Sequence, residues 1–149
     1  MTLEILQAKD ELRNLIDAYA TLSDEKKIAE VMGLFTPDTV YTVYMNGTQV
    51  ARTDGTASME KEFNGHAALV KAYFTLNGQH TVNVTGDTAT GVSYSQIKMT
   101  RASEGADILT DYSVQYHDTY VRQAGKWLIK ERIGHFIIIE ARPLPGTHA

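Results

Sequence analysis

There is no cysteine in the chain, so neither a disulfide framework nor a zinc site built on thiolates is available to it. No apolar run approaches the roughly 20 residues of a membrane span. The longest near the C-terminus, "FIII", is strand-sized, so no membrane partner is expected. The opening "MTLEILQAKDELRN" carries acids where a signal peptide needs a basic start and an apolar stretch, which makes the cytoplasm the expected location. Basic residues are scattered: 14 Lys and Arg stand against 18 Asp and Glu, and the densest groups are "EKK" at 25–27 and "KERIGH" at 130–135. Nucleic-acid binding needs a clustered basic face, so that class of partner is excluded. A Gly-rich phosphate loop, G-x-S-x-G and H-E-x-x-H are all missing. The five histidines are too dispersed to set a metal site, and neither metal nor cofactor is expected.

What the chain does have is enough apolar content, 43% of 149 residues, for one domain spanning 1–149 with a core of its own. Ile5, Ala8, Leu12, Leu15, Ile16 and Tyr19 recur at helical spacing and predict a helix over residues 2–21. Ile28, Val31, Met32 and Phe35 repeat the pattern and predict a second, over 25–35. From Thr39 the period becomes two. "TVYTVYM", an Asn46-Gly47 turn and "TQVAR" predict a hairpin. Residues 57–76 return to helical spacing, with an interruption near Asn64-Gly65 and with Leu69, Tyr73 and Leu76 on one face. "QHTVNVTG", "TATGVSYSQIKMTR", "ILTDYSVQYHDTYVR" and "WLIKERIGHFIII" then predict an antiparallel meander, ended by the prolines of "ARPLPGTHA". The expected class is α+β: one strongly curved sheet with helices over its concave side, a cone that encloses a pocket.

Asp24 and His80 are the residues with two readings. An aspartate just before an apolar-periodic run caps the next helix. If Ser23 does that instead, Asp24 turns inward and needs a partner such as an imidazole. His80, two residues after Gly78, is either a half-buried structural histidine or a base pointing across the mouth of the cone. For the last two strands, a four-residue "QAGK" connection pairs His117 with Arg132 and Asp118 with Glu131. One face then holds Tyr112, Val114, Tyr116, Trp127, Ile129, Ile133 and Ile137, with Asp118, Glu131 and His135 falling on it too, and the other Ser113, Gln115, His117, Lys130, Arg132 and Phe136. The second face is either solvated or lines a polar pocket, and a slip of one residue reverses the assignment.

"YATLSD" followed by "LFTPDTVY", then "FNGHAAL", "QHTVNVTGDTAT", "YHDTYVR" and "GKWLIKER" come in an order and at a spacing that resembles the SnoaL-like group of the nuclear-transport-factor-2-like superfamily, in its scytalone dehydratase, bile-acid 7α-dehydratase and hexachlorocyclohexane dehydrochlorinase branch. The resemblance covers nearly the whole chain. It implies a cone-shaped, cystatin-like α+β barrel and a cofactor-independent lyase acting on a small hydrophobic, polyketide-like or steroid-like molecule. The implied general-base dyad is Asp24 with His80, Asp24 lying five residues after Tyr19. Arg132, Tyr41, Tyr19 and His117 are implied as substrate-binding residues. The resemblance also implies a homodimer or homotrimer through the outer face of the sheet, to which an exposed Trp127 and isoleucine stripe would suit. An isomerase or cyclase of the same cone, or a non-catalytic small-molecule-binding or dimerisation module, is the alternative. In the branch the histidine often stands four residues before the strand asparagine, whereas His80 stands three before Asn83, so a bulge is required for it to face inward.

Overall fold

The structure, a computed structural model, describes residues 2–145. Helix α1 (Leu3–Asp24) starts where the Thr2 hydroxyl accepts the Ile5 N–H, an N-cap of the usual kind, and buries Ala8, Leu12, Leu15, Ile16 and Ala20 as one stripe. Lys26 then takes a left-handed φ of 60°, which ends the helix and turns the chain. Helix α2 (Ile28–Met32) is much shorter than the apolar spacing implied, because Gly33 closes it and Phe35 already belongs to a strand.

Strands β1 (Phe35–Met45) and β2 (Thr48–Asp54) form the expected hairpin, with Asn46 at φ 51° and Gly47 at φ 82° supplying the two left-handed residues of a tight turn. Helix α3 (Thr56–Ala67) runs through Asn64-Gly65 without interruption and stops at Ala67. The expected continuation to residue 76 is corrected: β3 (Ala72–Thr85) begins there, with Tyr73 turned in and Leu76 turned out and exposed. "AYFTLNGQHTVNV" alternates at period two, and only a coincidence of Leu69, Tyr73 and Leu76 mimics a helical stripe.

Strands β4 (Thr88–Arg101), β5 (Asp107–Gln123) and β6 (Lys126–Leu144) complete one six-stranded sheet in the order β2-β1-β6-β5-β4-β3. Neighbours are antiparallel except β1 and β6, which run parallel and close the sheet's two halves together. β6 passes Pro143, still paired with Ile108, and ends before Pro145; the rest of the tail lies outside the described residues. The sheet is curved but not closed, and α1 and α3 lie over its concave side. Among the described residues no helix is long and apolar enough to cross a membrane.

Three bulges decide which side chains enter the cone. In β3, Gly78 and Gln79 together oppose Tyr94, so pairing passes from Asn77↔Ser95 to His80↔Ser93. The extra residue returns His80 to the inward row with Val82. Between β5 and β6 the register begins as the short connection implied, Tyr120 opposite Ile129, and then skips Lys130, so that Thr119 meets Glu131 and Asp118 meets Arg132. The expected pairing of His117 with Arg132 is therefore corrected to Asp118 with Arg132. The stretch of β6 from Glu131 to Phe136 changes face, as a slip of one residue must cause, until the skipped Ile137 restores the first alternation. A third bulge, between Ser113 and Val114, adjusts the far end.

Candidate active site

The cone holds a cavity of about 330 Å³. Aromatic rings stand in its walls among aliphatic and polar side chains: Tyr19 of α1, Tyr41 of β1, Phe63 of α3, Tyr73 of β3, Tyr112 and Tyr116 of β5, and Phe136 of β6. Tyr19 makes edge-to-face contacts with Phe63 and Tyr116 at ring centroid distances of 6.4 and 6.3 Å, and Tyr41 does so with Phe63 at 5.8 Å. Gly134 of β6 makes this packing possible, since a side chain there would begin 3.3 Å from the Tyr116 ring and 3.4 Å from the Tyr41 hydroxyl.

Arg132 reaches the cavity from β6 and is the largest fully buried side chain of the molecule. Its Nε donates to Asp118 Oδ1 at 2.8 Å and its Nη2 to Asp118 Oδ2 at 3.0 Å, a bidentate pair whose side chains are 1% and 0% exposed. The guanidinium lies against two rings that meet edge to face, 3.9 Å from the centroid of Tyr116 and 4.3 Å from that of Tyr19. Nη1 has no hydrogen-bond partner. A buried cationic donor without an acceptor is costly; Nη1 is itself covered, so an oxygen in the cavity reaches it only where a neighbouring side chain gives way. Burial alone would lower the Arg132 pKa, but Asp118 overrides it and holds the pKa well above its ordinary value, so the group is a permanent cation. Burial also pushes up the phenols of Tyr19, Tyr41 and Tyr116, which are hydroxyl donors at any physiological pH. The Tyr19 hydroxyl lies near enough to the guanidinium to be drawn back by it, without closing a hydrogen bond to Nη1.

Asp24 also lines the cavity. It is the last residue of α1, not the cap of α2, whose cap position is Lys27. Its carboxylate crosses to β3, where Oδ2 accepts the Thr75 N–H at 2.8 Å and Oδ1 the Thr75 hydroxyl at 2.7 Å. Asp24 is thus an inward carboxylate fixed by two bonds. The resemblance paired it with His80, and here the structure differs: no hydrogen bond joins the two, because Thr75, five residues earlier on β3, occupies the carboxylate. His80 is absent from the cavity wall. Its Nε2 lies 3.0 Å from the Tyr120 hydroxyl, which donates to Asp118 Oδ2 at 2.8 Å, so it stands behind Arg132.

His117 is placed on the outer surface and is corrected as a cavity residue: the Lys130 bulge leaves it exposed, with Nε2 2.9 Å from Gln115 Oε1 and its ring 5.0 Å from that of His135. Trp127 is likewise not on the outer face but 4% exposed in the core. The large apolar residues that stand exposed include Phe74 and Leu76 of β3, Tyr94 of β4, and Ile137 and Ile138 of β6. Of the expected site residues the structure therefore gathers Asp24, Tyr19, Tyr41 and Arg132 around one cavity and leaves His80 and His117 out of it.

Sequence reasoning missed Asp118, Tyr116 and Tyr120, although "YHDTY" places them at alternate positions and hence on one face. His66 was missed as well. It lies in the last turn of α3 and lines the cavity, with Nδ1 2.6 Å from the Tyr73 hydroxyl. Burial, and secondarily Arg101, lower its pKa, which favours the neutral imidazole. Burial also raises Tyr73 to about 12.

Residues 4–133 match the SnoaL-like domain family. No curated protein matches the chain. Among solved structures, a candidate scytalone dehydratase from Novosphingobium aromaticivorans superposes with a TM-score of 0.82 at 19% identity, over 100% of this chain and 99% of that one. A type 2 hexachlorocyclohexane dehydrochlorinase gives 0.76 at 15% identity, over 99% and 95%. A nuclear-transport-factor-2-like protein with a cystatin-like fold, also from Novosphingobium aromaticivorans, gives 0.71 at 27% identity, over 91% and 85%.

Proposed function

The chain belongs to the SnoaL-like domain family, and from that premise we propose that it is a cofactor-independent lyase, of the dehydratase or dehydrohalogenase type, for a small apolar molecule held in the cone. The observation that carries this reading is the meeting, in one aromatic cavity, of a fixed carboxylate at Asp24 and a buried guanidinium donor at Arg132 Nη1.

Asp24 takes the proton itself in this reading, and does not act through His80. Thr75 holds the carboxylate in one orientation, as a positioned base requires. The C–H bond breaks with its proton passing to Asp24. Its electron pair becomes the new double bond, and the β-leaving group departs with its own bonding pair. Arg132 Nη1, with the phenols of Tyr19 and Tyr41 beside it, faces the oxygen on which negative charge develops. Tyr73 and His66 are the proton donors available to a leaving hydroxyl; a leaving halide needs none. The two related structures named for elimination chemistry, the scytalone dehydratase candidate and the dehydrochlorinase, support this reaction class for the fold.

The test is a panel of β-hydroxy and β-chloro aryl ketones, with elimination followed by the absorbance of the conjugated product. Turnover is expected, and Asp24→Asn should lower kcat by about 10²–10⁴-fold while keeping a cooperative unfolding transition. Undiminished turnover in that variant overturns the assignment of the base. Solvent deuterium entering the substrate with no eliminated product would move the reading to an isomerase. Binding with neither product nor exchange would leave a non-catalytic module.

A further inference from the structure

Behind Arg132, four side chains form an unbroken line from a surface groove to the cavity. Arg132 donates twice to Asp118, Tyr120 donates to Asp118 Oδ2, and His80 Nε2 meets the Tyr120 hydroxyl. The line has only one consistent arrangement of hydrogens. Asp118, paired with a permanent cation, is a pure acceptor, and Tyr120, whose pKa burial and Asp118 push far up, keeps its proton. That single proton is given to Asp118. His80 must therefore donate from Nε2, and its other nitrogen, Nδ1, takes no part in the line. The imidazole can gain a charge at Nδ1 without breaking any of the four bonds.

Gly91 of β4 leaves room for this meeting. A side chain there would begin 2.9 Å from the Tyr120 ring, 3.0 Å from Val82 and 3.1 Å from His80 Nε2. The outer end opens on a groove formed by Lys9, Arg13, His80, Thr81 and Val82. The charged groups acting on His80 are Asp118 from β5, Arg13 and Asp17 from α1, and Arg132 from β6, and Lys9 borders the same groove.

We propose that His80, Tyr120 and Asp118 are positioning residues that hold Arg132 at the cavity wall, and that protonation of His80 at the outer end strengthens the grip of Arg132 on an anionic oxygen at the inner end. The physical link is the shared carboxylate. A charged imidazolium is a stronger donor to Tyr120 than a neutral ring, the polarised hydroxyl draws more of the Asp118 charge towards itself, and Arg132 is left less neutralised. Burial, opposed by Asp118, lowers the His80 pKa, so the switch operates on the acid side of the ordinary histidine range. The ligand half of the proposal rests on the reading of Arg132 as the residue that meets substrate; the relay half does not.

Two measurements separate the halves. The first needs no ligand: the Arg132 Nε–H resonance is followed by NMR through a pH titration beside the His80 imidazole. It should move with the His80 midpoint in wild type and cease to follow it in Tyr120→Phe, where His80 still titrates but the line is cut. An Arg132 resonance indifferent to His80, or one that follows it equally well in Tyr120→Phe, overturns the relay. The second compares 2-naphthoate with 2-acetylnaphthalene, probes of the same outline that differ in charge, from pH 8 to pH 5.5. Naphthoate affinity should rise about fivefold through the His80 titration, near the low end of couplings between distinct sites, and ketone affinity should stay constant. The rise should persist in His66→Gln, which removes the histidine of the cavity wall, and vanish in Tyr120→Phe. If Arg132 follows His80 but naphthoate binding does not, the relay stands and the reading of Arg132 as the ligand's partner falls.

Discussion

Replacing Asp118 by Asn keeps the outline of the side chain and removes its charge, leaving Arg132 as an uncompensated cation in a site that is 1% exposed. Breaking a buried pair in this way costs about 3–5 kcal/mol. The rings of Tyr19 and Tyr116 stay in place and go on stabilising the guanidinium, so a loss near the lower figure, about 3 kcal/mol, is expected. Against a total stability of roughly 5–15 kcal/mol this is a large fraction, and for a chain of this size it lowers Tm by about 6–12 °C. Urea unfolding followed by the fluorescence of Trp127, the single tryptophan and a core residue, measures it directly. The urea midpoint should fall with little change in slope. Removing both charges together, as Asp118→Leu with Arg132→Met, should recover most of the loss, because two well-packed apolar side chains leave no buried charge. A single-variant loss under about 1 kcal/mol would mean that the pair is solvated like a surface pair, and the account of Nη1 as a desolvated donor would fail.

Acid should weaken the fold before its carboxylates are reached. His66 and His80 both have folded pKa values below the ordinary histidine value, burial being the first cause in each. In the window below about pH 6.5 the unfolded chain therefore binds more protons, and stability falls as pH falls. Urea midpoints from pH 7.5 to 5 test this, and a flat or rising series would refute it. Two glycines should respond to alanine in opposite directions. Gly91→Ala forces a methyl against Tyr120, Val82 and His80 and should cost about 1–3 kcal/mol. Gly65→Ala, within α3 with nothing nearby, should gain about 0.5–1 kcal/mol. Equal shifts in the two urea midpoints would show that the close approach at Gly91 is not real.

Period and punctuation alone determined the elements that are bounded by strong local signals. The stripe of α1, the Asn46-Gly47 hairpin and the long strands after Gly86-Asp87 all stand where the spacing put them, because each is marked by a period or a turn signal local in the chain. The α+β class and the concave cavity followed from the order of those elements. Tyr19, Tyr41, Arg132 and Asp24 all stand on the cavity wall, Asp24 ending one helix and not beginning the next.

The tertiary structure alone decided which chemistry-bearing groups meet. The boundary between α3 and β3 was hidden because Leu69, Tyr73 and Leu76 happen to fall at helical spacing across it, and only pairing with β4 made residues from Ala72 a strand. The extra residue at Lys130 moved Arg132 from the face of His117 to that of Asp118 and left His117 on the exposed face of β5. The extra residue at Gly78-Gln79 turned His80 inward, but onto Tyr120, while Thr75 took the carboxylate of Asp24. A bulge leaves no mark in composition or periodicity, because its cause is the fit between two strands distant in the chain; yet with a side-chain period of two, each one reassigns every residue beyond it.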